Sequence, residues 1–294
     1  MNNLSERHHY IPKFYAKGFL DEDKKFYVYD KYKDEVKKKK TSPKEIFYEW
    51  NRNTISSRSG SIDLIEDYYG FLDSDCAEVI RNLREKPNED GIQTDETIAL
   101  LRFFIISLFW RVPKSDFAAI DYFSRAKTTF IDTETGEIVD KTELEKKIKS
   151  DPNYLKFLRP NFSLEIIKNV AISNKSSSTS QLFGFNKDIF LTGDYPILFR
   201  KMPSQVDELL NGDYILPISS KRIYRITKKK IEMTFSLENA IDFNALLIEQ
   251  SKFYVCGPDR DFLEKCIRYW KAVKSNGILW NLPNSLFKSY LDRY

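Results

Sequence analysis

Residues 61–83 read Ser-Ile-Asp-Leu-Ile-Glu-Asp-Tyr-Tyr-Gly-Phe-Leu-Asp-Ser-Asp-Cys-Ala-Glu-Val-Ile-Arg-Asn-Leu. Ile65, Tyr69, Leu72, Cys76, Val79 and Leu83 recur three and four apart, which predicts a helix with one buried face. Ser61 suits the N-cap, and Asp63 and Glu66 put acids near the positive end of the helix. Glu66 and Asp73 are seven apart and share a face at the edge of the apolar stripe. Pro87 to Gly91 ends the helix. Here the hydrophobic period changes from strand-like to helical, and that change sets the fold class.

Upstream, Phe26 to Asp30 is aromatic and β-branched and reads as a strand. Residues 31–42 form a lysine-rich loop, Ile46 to Tyr48 a second short strand, and Asn51 to Gly60 a polar connector. Downstream, Thr94 caps a helix whose stretch from Ile98 to Val112 is nearly all apolar, interrupted by Arg102, Ser107 and Arg111. A helix apolar all round is buried. Arg111 stands at its end, just ahead of Val112-Pro113, where a cation complements the helix dipole. Helices are also predicted over Phe117–Phe130, Thr142–Leu158 and Ser163–Ser173, followed by a break at Ser176–Ser180.

From Gln181 the period is again strand-like. Gln181–Phe185 and Asp188–Thr192 are expected to pair with each other, with Asn186-Lys187 between them. Gly193-Asp194-Tyr195-Pro196 is a sharp turn, and Ile197–Phe199 resumes a strand. Tyr214–Pro217 and Arg222–Thr227 form a hairpin about Ser219-Ser220-Lys221. A helix over Phe243–Ser251, a strand over Phe253–Cys256 and a helix over Asp261–Trp270 close the chain. The expectation is an α+β fold, a helical middle section packed against a mainly antiparallel sheet from the N-terminal and C-terminal segments. With no repeat or long linker, residues 1–294 read as a single domain in three sections, 1–60, 61–175 and 181–294.

Composition narrows the function classes. Aromatic residues make up 15% of the chain, enough for a real core and against disorder. The net charge of +4, from 47 basic and 43 acidic residues, permits a nucleic-acid partner without demanding one. Cys76, Cys256 and Cys266 form no CxxC pair, which argues against thiolate zinc and for a reducing compartment. Met1 to Arg7 has no apolar signal core, and the run Phe103 to Trp110 is too short to span a bilayer. The chain is therefore expected to be cytoplasmic and off the membrane.

Both histidines of the chain, His8 and His9, are adjacent, in His-His-Tyr-Ile-Pro-Lys-Phe-Tyr followed by Gly18-Phe19. Imidazole is the usual general base near neutral pH. On a strand adjacent side chains face opposite ways, so one of the two would enter a given site. Asp194, held on a tight turn after an apolar strand, is the second candidate; the bland alternative is a turn aspartate bonded to its own backbone. Glu66, Asp73 and Glu78 have a parallel alternative as solvated helix charges. No P-loop, GxGxxG, HExxH, GxSxG or kinase motif is present.

The opening motif, with Phe26–Asp30, Ile65-Glu66, Trp110-Arg111-Val112-Pro113, Leu191–Ile197, Leu216–Ser219, Asn244 and Phe253–Val255, resembles the bacterial family known as domain of unknown function 4238. The resemblance runs through nearly the whole chain in order. Gly193, where the family more often has serine, and Ala16, where leucine is usual, depart from its pattern. The resemblance implies little biochemistry; the scatter of relatives among bacteria implies mobile or defence-associated genes.

Two functional expectations follow. In the first, His8 or His9, Asp194, Glu66 and Arg111 share a polar cleft. There a histidine activates water or a ribose hydroxyl, Asp194 orients it or binds a divalent metal, and Arg111 neutralises a phosphate. That describes a nuclease or phosphodiesterase-like effector in phage defence or a toxin system, acting on nucleic acid or nucleotide. In the second, the motifs are a structural plug, and the protein is a non-enzymatic binding or sensor protein whose exposed aromatics and lysines bind a partner protein or a phage component.

Overall fold

A computed structural model describes residues 6–57, 60–86, 94–125, 130–131, 136–151, 153–156, 158–160, 162, 179–203, 208–209, 212–228 and 234–287. The helix expected over Ser163–Ser173, most of the break at Ser176–Ser180 and the helix end at Pro87–Gly91 lie outside the described residues.

The N-terminal section opens with β1 (Arg7–His9), a single turn α1 (Lys13–Ala16), β2 (Tyr27–Asp30) and β3 (Glu35–Val36). The expected strand over Ile46–Tyr48 begins later, as β4 (Tyr48–Trp50). Phe47 breaks it, because its buried ring is held with φ at 62°, a strained value for a bulky residue. Its carbonyl accepts from Tyr10 N–H at 2.9 Å, which fastens the opening motif to the start of β4. The polar connector then forms a hairpin, β5 (Ile55–Ser57) with β6 (Gly60–Ile62). Ser61 pairs with Ser56 in that hairpin, so the following helix α2 (Leu64–Glu85) starts after Asp63 and not at Ser61. Its buried side chains, Ile65, Tyr69, Leu72, Cys76, Ile80 and Leu83, follow the anticipated stripe, with Ile80 in place of Val79.

Helix α3 (Asp95–Arg111) is capped as expected by Thr94, whose side chain accepts from Thr97 N–H. It ends at Arg111 because Val112, ahead of Pro113, is extended. Then come α4 (Asp116–Arg125), a hairpin of β7 (Phe130–Ile131) with β8 (Ile138–Val139), and α5 (Lys141–Ser150). Phe130, expected at a helix end, pairs instead with Val139.

The C-terminal section holds β9 (Thr179–Gly184), β10 (Thr192–Gly193), β11 (Leu198–Phe199), β12 (Tyr214–Ser219), β13 (Arg222–Thr227), α6 (Leu237–Gln250), β14 (Tyr254–Gly257), α7 (Arg260–Ser275) and α8 (Leu282–Phe287). The 181–185 and 188–192 segments do not pair with each other. β9 pairs with β13, placing Leu182 opposite Tyr224, whereas β10 pairs with β14. The Asn186-Lys187 link is not a two-residue hairpin turn, because the amides of Ile189 and Phe190 both donate to Ser220 O. Asn244, wholly buried on α6, splints that segment, accepting from Leu191 N–H at 3.0 Å and donating to Ile189 O at 2.8 Å.

The named strands pair antiparallel, in a four-stranded sheet ordered β10-β14-β2-β3, a second ordered β11-β12-β13-β9, and small ribbons. The first sheet joins the two ends of the chain, with Tyr29 opposite Val255 and Val28 opposite Cys256. One hydrophobic core contains Tyr10, Tyr15, Trp110, Phe190, Leu247 and Leu286, and so draws on all three sections. The fold is α+β.

The opening motif is built into this core. Tyr15 is fully buried and donates from its hydroxyl to Pro217 O at 2.7 Å. Arg84 of α2 donates to the carbonyls of Phe14, Tyr15 and Ile218. Gly18 sits between that guanidinium and Ile218 O; a Cβ there would fall 2.5 Å from Arg84 Nη2 and 2.6 Å from the carbonyl. The glycine is required by close approach.

Candidate functional site

The β1–β4 ribbon separates the two histidines. Its register sets Arg7 opposite Trp50, His8 opposite Glu49 and His9 opposite Tyr48. Side chains alternate, so His8 faces the interior and His9 the opposite side.

His8 is wholly buried. Its Nδ1 accepts from the backbone N–H of Asn53 at 2.8 Å, so that nitrogen is unprotonated and a neutral ring carries its hydrogen on Nε2. Nε2 stands 4.0 Å from Asp63 Oδ1, and Glu66 Oε1 is 3.8 Å from Nδ1. The same connector ties down both carboxylates: Asn53 Nδ2 donates to Glu66 Oε1, and Thr54 Oγ1 donates to Asp63 Oδ1 at 2.7 Å.

Arg111 enters this region from the end of α3. Its fork spans both oxygens of Asp73, at 2.5 and 3.2 Å, and Nη2 reaches His9 O at 3.4 Å. The guanidinium lies 4.2 Å from the centroid of the Tyr69 ring. Burial disfavours its charge, but the Asp73 carboxylate outweighs burial and holds the pKa above the ordinary arginine value. The Arg111 carbonyl accepts from Arg52 Nε at 2.9 Å. Arg52 in turn grips Asp116 with both Nη atoms, at 3.0 and 2.7 Å, and donates to Glu49 at 2.7 Å. Arg159 adds a contact to Asp116 at 3.3 Å and one to Arg52 O at 3.1 Å. Three buried guanidiniums are thus each bonded to a carboxylate.

Asp194 is elsewhere. Its carboxylate, 4% exposed, accepts from the backbone amides of Lys252 at 2.8 Å, Phe253 at 2.5 Å and Tyr254 at 3.2 Å. Burial pushes its pKa up, and the three amides pull it back. Its hydrogen bonds all run to this strand entry and none to an imidazole. The opening motif does meet the strand ahead of Asp194, but through Tyr15, whose hydroxyl lies 3.5 Å from Thr192 Oγ1. At Gly193 a Cβ would fall 2.3 Å from Ser251 Oγ, so a serine in that position needs Ser251 to turn away.

His9 is half-buried beside Tyr48, ring centroids 5.5 Å apart, and its pKa is lowered to about 4 by burial and then by the Lys13 charge. The structure therefore brings His8, Glu66, Arg111 and the His9 carbonyl to one polar node, and leaves the His9 ring and Asp194 outside it. Glu66 and Asp73 do share a face, as their spacing predicts, and both are used. Arg52, Asn53 and Thr54 are residues that sequence reasoning missed; they lie in a connector read only as polar, and all three are buried. Among the described residues no group of three His, Cys, Asp or Glu side chains could hold a metal ion. An open groove whose lining includes Asp21, Asp23, Asp188 and Asp259 beside Lys40 and Arg260 contains none of the five predicted site residues. No helix of the described residues is long and apolar enough to cross a membrane.

The chain belongs to the family described as protein of unknown function DUF4238, whose pattern matches residues 7–261. No curated protein and no solved structure matches it.

Proposed function

We propose that this DUF4238 chain is a binding or sensor protein in which the His-His and Asp194 motifs are internal clasps. The observation that carries this reading is that the polar groups expected to do chemistry are already committed. The His8 ring is sealed from solvent with Nδ1 occupied, the Arg111 fork is filled by Asp73, and Asp194 accepts three amides. A phosphate arriving at the node would have to displace a carboxylate from each arginine, at the expense of a buried ion pair. The three cysteines are free and buried, which fits a reducing cytoplasm. In the phage-defence or toxin setting that the family's distribution implies, such a protein acts by recognition, with nucleic acid or nucleotide as the partner class.

One feature favours the hydrolytic reading as the second choice. The Glu66 side chain is 24% exposed while one oxygen is held by Asn53 beside the His8 ring, so it could meet water as a general base. The test is incubation of the purified protein with RNA, DNA and nucleotides across divalent metals, with Glu66→Gln and His9→Ala controls. We expect no turnover. Cleavage that Glu66→Gln abolishes would overturn the binding reading.

A further inference from the structure

The outward face of the β1–β4 ribbon carries four flat side chains in register: Arg7, His9, Tyr48 and Trp50. Tyr48 lies between its neighbours, tilted 48° to the His9 ring at 5.5 Å and nearly perpendicular, at 83°, to the Trp50 ring at 5.9 Å, so its edge props the indole. The Arg7 guanidinium stacks over both larger rings, 5.2 Å from Tyr48 and 5.1 Å from Trp50. Trp50 is 56% exposed. The face is also electrically distinct from the node behind it. Arg52, Arg111 and Arg159 are bonded to carboxylates, whereas among the described residues no carboxylate forms an ion pair with Arg7 or with Lys13, the exposed cation whose charge reaches His9. Glu45, which feels the Arg7 charge, is tied by one oxygen to Ser42 N–H and Oγ. An exposed indole beside a cation that no carboxylate of the described residues ion-pairs is what an unpaired base and its phosphate need: a π-face to stack on, and positive charge for the backbone. A duplex offers no free base face to such a row.

We propose that this face binds single-stranded nucleic acid, with a base stacked on the exposed Trp50 indole and a phosphate held by Arg7. The proposal rests on the binding-protein reading and names its partner. The experiment is fluorescence anisotropy of the full chain with a labelled oligothymidylate, an oligouridylate and a duplex of equal length, at low salt. The single strands should bind and the duplex should bind far more weakly. Trp50→Ala should weaken single-strand binding about tenfold or more. Arg7→Gln should flatten the salt dependence by about 0.7 in log–log slope, the value for one phosphate left un-neutralised on a single strand. Both side chains are exposed, and unchanged melting curves establish that the variants fold. No single-strand binding, equal binding of duplex, or wild-type affinity in both variants would overturn the proposal. If the oligonucleotide is bound and cut, the platform stands and the non-catalytic reading falls; if it is neither bound nor cut, the platform falls and the clasps stand.

Discussion

Removing Asp73 tests whether the node is a structural clasp. Asp73→Ala leaves the Arg111 guanidinium, 5% exposed, facing Tyr69 and a single long contact to His9 O. Breaking a buried pair by deleting one partner costs about 3–5 kcal/mol when the remaining charge stays dry. Asp73 is itself 26% exposed, so water can enter behind the truncated side chain and hydrate part of the guanidinium. The expected loss is therefore reduced from that range to about 2–4 kcal/mol. For a chain of this size that corresponds to a fall in Tm of roughly 3–6 °C. Arg111→Met should cost less, because the Asp73 carboxylate left behind reaches solvent. The double variant should recover at least half of the Asp73→Ala loss, since the uncompensated charge is gone. Scanning calorimetry of the four proteins completes the cycle. A single-variant loss under about 0.5 kcal/mol, or strict additivity in the double variant, would refute the clasp.

Asp194→Ala orphans three amides and should lose about 3–5 kcal/mol by urea unfolding, with Asp194→Asn intermediate because its single carbonyl oxygen can serve only part of the set. His8→Asn keeps an acceptor for the Asn53 amide and should be more stable than His8→Ala by about 1–2 kcal/mol; equal midpoints would mean that bond contributes nothing. For His9 the folded pKa of about 4 lies under the ordinary 6.5, so the unfolded chain takes up a proton first as pH falls. Stability should drop between pH 6.5 and about 4 and level off beneath, by about 1–2 kcal/mol once partial exposure is allowed for, and His9→Gln should flatten that dependence. A wild-type melting profile unchanged by His9→Gln over that window would exclude the effect.

What the sequence alone determined is local. The stripe from Ile65 to Leu83 (with Ile80 for Val79), the Thr94 cap, the apolar run up to Val112 ahead of Pro113 and the hairpin about Ser219 to Lys221 are set by neighbours within a few residues, and each takes the general form its spacing predicts. Alternation likewise required that His8 and His9 part company. Which ring turned inward depended on β4, whose start is displaced by the strained backbone at Phe47. The pairing of β2 with β14 joins Tyr29 to Val255, and nothing in either strand's period names the other. The same holds for the site. Asp194 could be read as a rigid carboxylate on a turn, but its partners are three amides 58 to 60 residues away. Arg111 could be read as a guanidinium seeking an anion, and its anion proved to be Asp73, brought to it by the packing of α2 on α3. Arg52, Asn53 and Thr54 were illegible because a short polar connector looks exposed until helices close over it. Hydrogen bonds and ion pairs are satisfied in three dimensions, and one-dimensional spacing records only the demand.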